Sequence, residues 1–319
     1  MNKKAYFDLH CDTLTRHYEK ENLLKNTLDL DDDIIGLSRL PKSRLFGQFF
    51  AIFVPDKYRG ADAIEFFNNN ADSFIRQCKA YENVVDRCRN YEDIVSAWEK
   101  GKGAACLSIE GGAAFGGKLE NVEKAREKGV CACTLTWNGE NELGSGNDTQ
   151  LGLKPFGKDC IRELERNNII VDVSHLNDPG FYDVLRVAQR PIIATHSNSR
   201  KICGHFRNLK DDQIKEIIDM KGIIGLNYCV YFLNDDGDKA TLEDLYRHAE
   251  HMLELGCEDV LALGSDFDGC RVFEDLNSLQ KSFDLGDFFL KKGFSEEIVE
   301  KIMYKNALNF FKEHFKNGI

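Results

Sequence analysis

The sequence predicts a (β/α)8 barrel, and three observations carry the prediction. Eight short apolar runs, rich in β-branched residues and bounded by Gly, Asn, Asp or Ser, read as buried strands. Segments with helical spacing lie between them, and strands alternating with helices pair in parallel. The chain has 319 residues, enough for a barrel of ~250 residues with a surplus.

The runs are Ala5–His10, Leu45–Val54, Ala104–Ile109, Val130–Thr136, Ile169–Ser174, Ile192–His196, Ile223–Asn227 and Val260–Ser265. The surplus falls mainly between the second and third, where Ala61–Cys88 and Tyr91–Lys100 read as extra helices. Beyond the third run, helices are expected over Val122–Lys128, Phe156–Asn167, Asp178–Gln189, Asp211–Met220 and Thr241–Leu255. Two more close the chain, Leu276–Lys292 and Ser295–His314. The latter has Ser295 as its N-cap and Glu296 and Glu297 in its first turn, where negative charge suits the helix dipole. A doubly wound open sheet is the competing architecture, but neither G-x-G-x-x-G after the first run nor a P-loop occurs. Gly111-Gly112 and Gly116-Gly117 lack the phosphate-binding spacing. No linker, low-complexity tract or repeat divides the chain, so residues 1–319 read as one domain.

Composition excludes several classes. At 42% hydrophobic and 30% charged residues the chain is neither disordered nor fibrous. Forty-two basic against 53 acidic residues leave a net charge of −11, which argues against a nucleic-acid partner. No apolar run approaches the ~20 residues of a membrane span. Met1–Lys4 is polar with no secretory apolar region, and Phe310–Ile319 carries no lipidation or anchor signal. The expectation is a cytoplasmic protein without a membrane anchor. The eleven cysteines are odd in number and irregularly spaced, Cys131 and Cys133 being two apart. They read as reduced thiols in core positions, without disulfides or zinc-finger spacing.

The chemistry collects at one pole. His10 and Asp12 close the first run, Glu110 the third, His175 the fifth, His196 the sixth and Asp266 the eighth. In a barrel those C-terminal strand ends converge on the face where active sites lie. Three of the chain's eight histidines fall there. Each residue alone has a plainer reading: a strand-end hydrogen bond for His10-x-Asp12, a loop carboxylate for Glu110, core imidazoles for His175 and His196. Together, three imidazoles and two carboxylates suffice for two metal ions with one carboxylate shared. Asp266, closing its strand, would point at that site as a proton shuttle, whereas Asp268 beside Gly269 reads as a turn residue. Arg207 follows the sixth run and could hold a substrate carboxylate in two-point contact or be an ordinary surface residue. His205 reads as a neighbour, and His17, His248, His251 and His314 read as surface residues. Ser197 and Ser199 flank a histidine without a G-x-S-x-G elbow, so a serine hydrolase is disfavoured.

Six segments in order carry a family resemblance: Phe7-Asp8-Leu9-His10-Cys11-Asp12-Thr13, Ser108-Ile109-Glu110-Gly111-Gly112, Asp172-Val173-Ser174-His175, Thr195-His196-Ser197, Arg207-Asn208-Leu209 and Gly264-Ser265-Asp266-Phe267-Asp268-Gly269. From residue 6 to about 310 the chain resembles the membrane (renal) dipeptidase family, peptidase family M19. Asn306-Ala307 is similar to its closing motif. The resemblance implies a (β/α)8 hydrolase holding two zinc ions, His10 and Asp12 on one, His175 and His196 on the other, Glu110 bridging. It implies Asp266 as acid/base, Arg207 on the dipeptide's C-terminal carboxylate, and a homodimer. It also implies cleavage of dipeptides, often with a D-residue in the second position. The animal members are secreted, disulfide-linked and lipid-anchored, and this chain resembles the cytoplasmic microbial branch.

Two departures bear on substrate binding. Thr134-Leu135-Thr136-Trp137-Asn138 has Trp137 where animal enzymes carry a histidine that assists the substrate carbonyl. Trp137 can only donate through its N–H, and Asn138 takes over part of the contact on this reading. In Asn227-Tyr228-Cys229-Val230-Tyr231, Cys229 falls where relatives often have a tyrosine, leaving Tyr228 or Tyr231 as substitutes. Histidine and carboxylate ligands also accept manganese, cobalt or iron. Two rivals stand. An amidohydrolase-type two-metal barrel usually has H-x-H on the first strand and often a carboxylated lysine. A silent metal- or peptide-binding member would have lost Asp266 or a ligand. Here the first strand has H-x-D and all six residues remain.

Overall fold

The computed structural model describes residues 5–16, 28–29, 31, 33–40 and 44–316. The strands are β1 (Ala5–Cys11), β2 (Leu45–Phe53), β3 (Val85–Cys88), β4 (Gly103–Glu110), β5 (Val130–Thr134), β6 (Ile170–Asp172), β7 (Ile193–Ala194), β8 (Ile223–Leu226) and β9 (Leu261–Leu263). All pair in parallel, and contacts of β2 with β4 and of β1 with β9 close eight of them into a ring. Around the ring the order is β1, β2, β4, β5, β6, β7, β8, β9, so the expected (β/α)8 barrel is present.

The ninth strand departs from the sequence reading. The expected helix Ala61–Cys88 is a helix Gly60–Ala80 followed by β3, which pairs with the first half of β4 below β5. Its apolar residues Val84, Val85 and Cys88 fit helical spacing as well as a short strand, and no Gly or Pro marks the boundary. The expected helix Ser295–His314 runs as Glu296–Glu300, a wider π turn at Lys301–Lys305, and Asn306–Lys316. Ser295 caps it by accepting from the Ile298 N–H. Asn306 ties this closing helix to the barrel base, donating to the carbonyls of Glu258 and Leu261 at 3.0 and 2.8 Å.

Strand alternation sorts the core into two layers. Phe7, Phe49, Cys106, Ala132, Ile170, Ile193, Ile223 and Ala262 supply one residue from each barrel strand to an interior cluster. Ala307, Phe310 and Phe311 of the closing helix join that cluster. The alternate residues, such as Phe50, Leu107, Cys133, Val171, Ala194, Ile224 and Leu261, pack outward against the helices. Both layers are dry, as a parallel sheet covered on both faces requires.

All eleven cysteines are free thiols, and ten are buried. Among the described residues no helix is long and apolar enough to cross a membrane. The surface reading of two histidines is corrected. His248 is fully buried, its Nδ1 accepting from Ser199 N–H and its Nε2 donating to the Leu233 carbonyl. His314 is buried against Phe310. Both lie on amphipathic helices whose inward face includes them. His251 is half-buried and pairs with Asp211, and His17 lies outside the described residues.

Candidate metal centre and active site

The C-terminal strand ends bring six of the expected residues into one buried cluster. Glu110 is the last residue of β4 and faces inward with Ala104, Cys106 and Ser108. His10 sits where the register of β1 against β2 shifts between Asp8 and Cys11. The convergence of His10 with Asp12 therefore comes from a strand irregularity and the turn after it, not from a regular pleat. His175, His196 and Asp266 lie two or three residues beyond β6, β7 and β9. His175 and Asp266 both adopt left-handed backbone, with φ of 68° and 62°. Such conformations cost a non-glycine residue on the order of 1–3 kcal/mol and cluster at functional sites.

Glu110 organises the cluster through its two oxygens. Oε1 lies 2.7 Å from His175 Nε2 and 3.8 Å from His196 Nε2, while Oε2 lies 3.4 Å from His10 Nε2. Asp12 Oδ2 is 3.4 Å and Asp266 Oδ1 4.0 Å from the same His10 nitrogen. His175 Nε2 and His196 Nε2 are 3.0 Å apart. His10 Nε2 and Asp12 Oδ1 are buried without a hydrogen-bond partner. Gly269 permits this packing, since a Cβ there would stand 1.9 Å from Asp12 Oδ2.

Partners behind the cluster set which imidazole nitrogen faces it. Asp172 Oδ2 accepts the hydroxyl protons of Thr134 and Thr195, each at 2.5 Å. With its proton so engaged, Thr195 Oγ1 accepts from His196 Nδ1–H at 2.8 Å. Asn138 Oδ1 lies 3.0 Å from His175 Nδ1. In both rings Nδ1 carries the proton and the Nε2 lone pair points inward, the arrangement metal-ligating histidines require. Asn227 donates to Asp266 Oδ2 at 3.1 Å and holds that carboxylate in place.

Burial and charge work against each other here. Burial lowers the His10 imidazole, but the charges of Glu110 and Asp12 outweigh it and raise its pKa well above the ordinary value. Burial raises Glu110, yet His10 and His175 bring it below the usual carboxylate range. Asp12, buried beside Glu110, is pushed up to about 8. His196 is driven well below the ordinary imidazole value by burial, then by His10 and Arg207. A buried cluster of carboxylates and inward lone pairs, with orphaned donor atoms, fits divalent cations. Two ligand groups, His10–Glu110–His196 and His10–Asp12–Asp266, each gather within 4.8 Å.

The cluster opens into a cavity of about 690 Å³ lined by Asp12, Glu110, His175 and Asp266, with Trp137, Asn138 and Tyr231 among the rest. Cys229 also lines it, but Tyr228 does not. The tyrosine is fully buried against Phe267, beside Tyr6 and Asp8, which removes it from substrate reach. Arg207 is buried behind the lining. Its Nη1 donates to Ser197 Oγ at 3.0 Å and its Nη2 to the His196 carbonyl at 3.1 Å. Its Nε has no partner, and Asp266 and Glu110 are the strongest negative charges acting on it. Asp268 accepts from Thr13, Arg16 and Ile34 N–H, as a turn-building carboxylate should. Sequence reasoning missed Asp172, Thr195 and Asn227. The available signal was a carboxylate three residues before His175 and polar residues ending strands otherwise apolar.

A model of the membrane dipeptidase family, peptidase family M19, matches residues 1–318. The chain belongs to that family. Dipeptidase tcpJ of Claviceps purpurea is 28% identical over 325 residues, covering 97% of this chain and 74% of its own. Among solved structures, the M19 metallo-peptidase dipeptidase AC superposes with a TM-score of 0.91 at 27% identity, covering 98% of each chain. A metallo-peptidase from Rhodobacter sphaeroides, liganded with a phosphinate mimic of the dipeptide L-Ala-D-Ala, superposes equally, at 26% identity over 98% of this chain and 99% of its own. The M19 chain described here is a metallo-dipeptidase, a hydrolase on a (β/α)8 barrel.

Proposed function

We propose that this M19 enzyme hydrolyses the peptide bond of dipeptides, L-Xaa-D-Xaa among them, at a centre of two divalent cations, zinc by preference. The observation that carries the reading is the division of Glu110, one oxygen toward His175 and His196 and the other toward His10. His10 and Asp12 would hold one ion, His175 and His196 the other, with Glu110 shared. Divalent cations in such a site supply Lewis acidity, lowering the pKa of water and polarising a carbonyl.

The chain's own groups do the rest. Asp266, held by Asn227, accepts the proton of the attacking water and returns it to the leaving amine. Arg207, buried behind the lining with both Nη groups held by the protein, attracts the substrate carboxylate through its charge and not by the expected two-point contact. Trp137, Asn138 and Tyr231 form walls of the cavity into which the dipeptide fits. The phosphinate mimic of L-Ala-D-Ala bound by the Rhodobacter relative supports L,D-dipeptides among the substrates. The free thiols support a reducing, cytoplasmic compartment, and a homodimer follows from the family resemblance.

The test is hydrolysis of L-Ala-D-Ala and L-Ala-L-Ala by the purified protein, with and without chelator. Chelator-sensitive cleavage that includes the L,D substrate is expected. Cleavage of neither by metal-loaded protein would overturn the proposal.

A further inference from the structure

One side of the cavity is built from uncharged, largely aromatic residues. There, Phe53 and Pro55 follow from the end of β2, Tyr58 lies in the next turn, and Trp137 lies just beyond β5. The Phe53 and Trp137 rings meet edge to face at 4.9 Å, and Tyr58 packs on Phe66 at 4.8 Å. None of these five is charged, and all line the cavity.

The wall is fastened before any ligand arrives. Asp56 Oδ2 accepts from Gly139 N–H at 3.0 Å, and Asp56 Oδ1 accepts from Arg59 at 3.1 Å. Arg59 also donates to the Glu140 carbonyl at 2.7 Å, so the loop after β2 and the loop after β5 are tied together. Gly139 is needed at this junction, because a Cβ would stand 2.8 Å from Asp56 Oδ2. A preorganised apolar surface loses little ordering entropy when a side chain binds.

Its position in the ring gives it a role. β2 and β7 are four strands apart in a ring of eight, on opposite sides of the centre. Arg207 belongs to the loop after β7, with Phe232 5.8 Å from its guanidinium carbon. A dipeptide whose carboxylate is drawn to the Arg207 side, with its carbonyl at the Glu110 cluster, turns its first residue toward the aromatic wall.

We infer that Phe53, Tyr58 and Trp137 form the subsite for the side chain of the substrate's N-terminal residue, and that preferred substrates carry a large apolar or aromatic residue there. The inference rests on the dipeptidase reading above.

The test measures kcat/KM of the metal-loaded enzyme for Gly-Gly, L-Ala-Gly, L-Leu-Gly, L-Phe-Gly and L-Asp-Gly, the second residue being achiral throughout. A methylene in an apolar pocket is worth roughly 10–200-fold, so L-Phe-Gly should exceed Gly-Gly by about 100-fold or more, with L-Asp-Gly lowest. Trp137→Ala and, separately, Phe53→Ala should each compress the L-Phe-Gly to Gly-Gly ratio about tenfold at wild-type metal content. Equal values across the series, or a preference for L-Asp-Gly, would overturn the subsite while leaving the dipeptidase reading standing. Cleavage of L-Ala-D-Ala but of none of the five overturns the subsite alone, whereas cleavage of neither L-Ala-D-Ala nor any of the five overturns the dipeptidase reading with it.

Discussion

Asn138 Oδ1 lies 3.0 Å from His175 Nδ1, and under the proposed two-cation centre the contact makes Asn138 a support for His175 as a ligand. The sequence alone suggested a substrate contact, and the two roles separate experimentally. Removing such a support typically costs about 10–100-fold in metal affinity. Asn138→Ala should therefore weaken metal binding by that factor in competition with a chromogenic chelator. Unchanged affinity with a raised KM would return Asn138 to the substrate.

Asp266 is held by its bond from Asn227 and lies 4.0 Å from His10 Nε2, and the proposed mechanism makes it the proton shuttle and not a ligand. Asp266→Asn keeps the shape and removes the proton acceptor. We expect kcat to fall by ~10²–10⁴ with metal content retained. Loss of metal in this variant would make Asp266 a ligand instead.

Arg207→Lys keeps a positive charge but loses the planar fork that reaches Ser197 and the His196 carbonyl together. Each charge-assisted hydrogen bond that holds the guanidinium in place contributes ~1.5–3 kcal/mol, so with the charge displaced KM should rise roughly tenfold to a hundredfold with kcat less affected. An unchanged KM would remove Arg207 from carboxylate binding.

His248 links pH to stability. Burial lowers its pKa from 6.5 to about 4, so the folded state keeps it neutral while the unfolded chain protonates first as pH falls. Its contribution is complete above pH 6.5 and is lost as pH falls toward 4. The difference corresponds to about 3 kcal/mol. Urea unfolding of metal-free protein at pH 7 and 4.5 should show a smaller acid loss for His248→Gln than for wild type. Equal losses would contradict the assignment.

The site was legible where topology alone decides position. His10, Asp12, Glu110, His175, His196 and Asp266 could be read because a parallel barrel sends every C-terminal strand end to one pole. What lay behind them could not. Asp172 and Thr195 act through hydrogen bonds between strands, and strand register is not written in either segment alone. Tyr228 and Tyr231 are close in sequence, yet one is fully buried and the other 51% exposed. The chain turns between them into the short helix Val230–Leu233. β3 lies in a stretch whose sequence suits a helix as well, because Val84, Val85 and Cys88 satisfy both periods. His248 was read as surface because its helix is polar around it, although its ring faces Ser199 and Leu233.

If Glu110 is shared between two cations as proposed, metal stoichiometry shows it. Elemental analysis of wild type and Glu110→Ala, each saturated with zinc and freed of excess, would be read beside chelator-sensitive hydrolysis of L-Ala-D-Ala. About two ions per wild-type chain are expected, with loss of both affinity and hydrolysis in the variant. A wild-type chain holding a single ion, or a variant that still holds two, would contradict it.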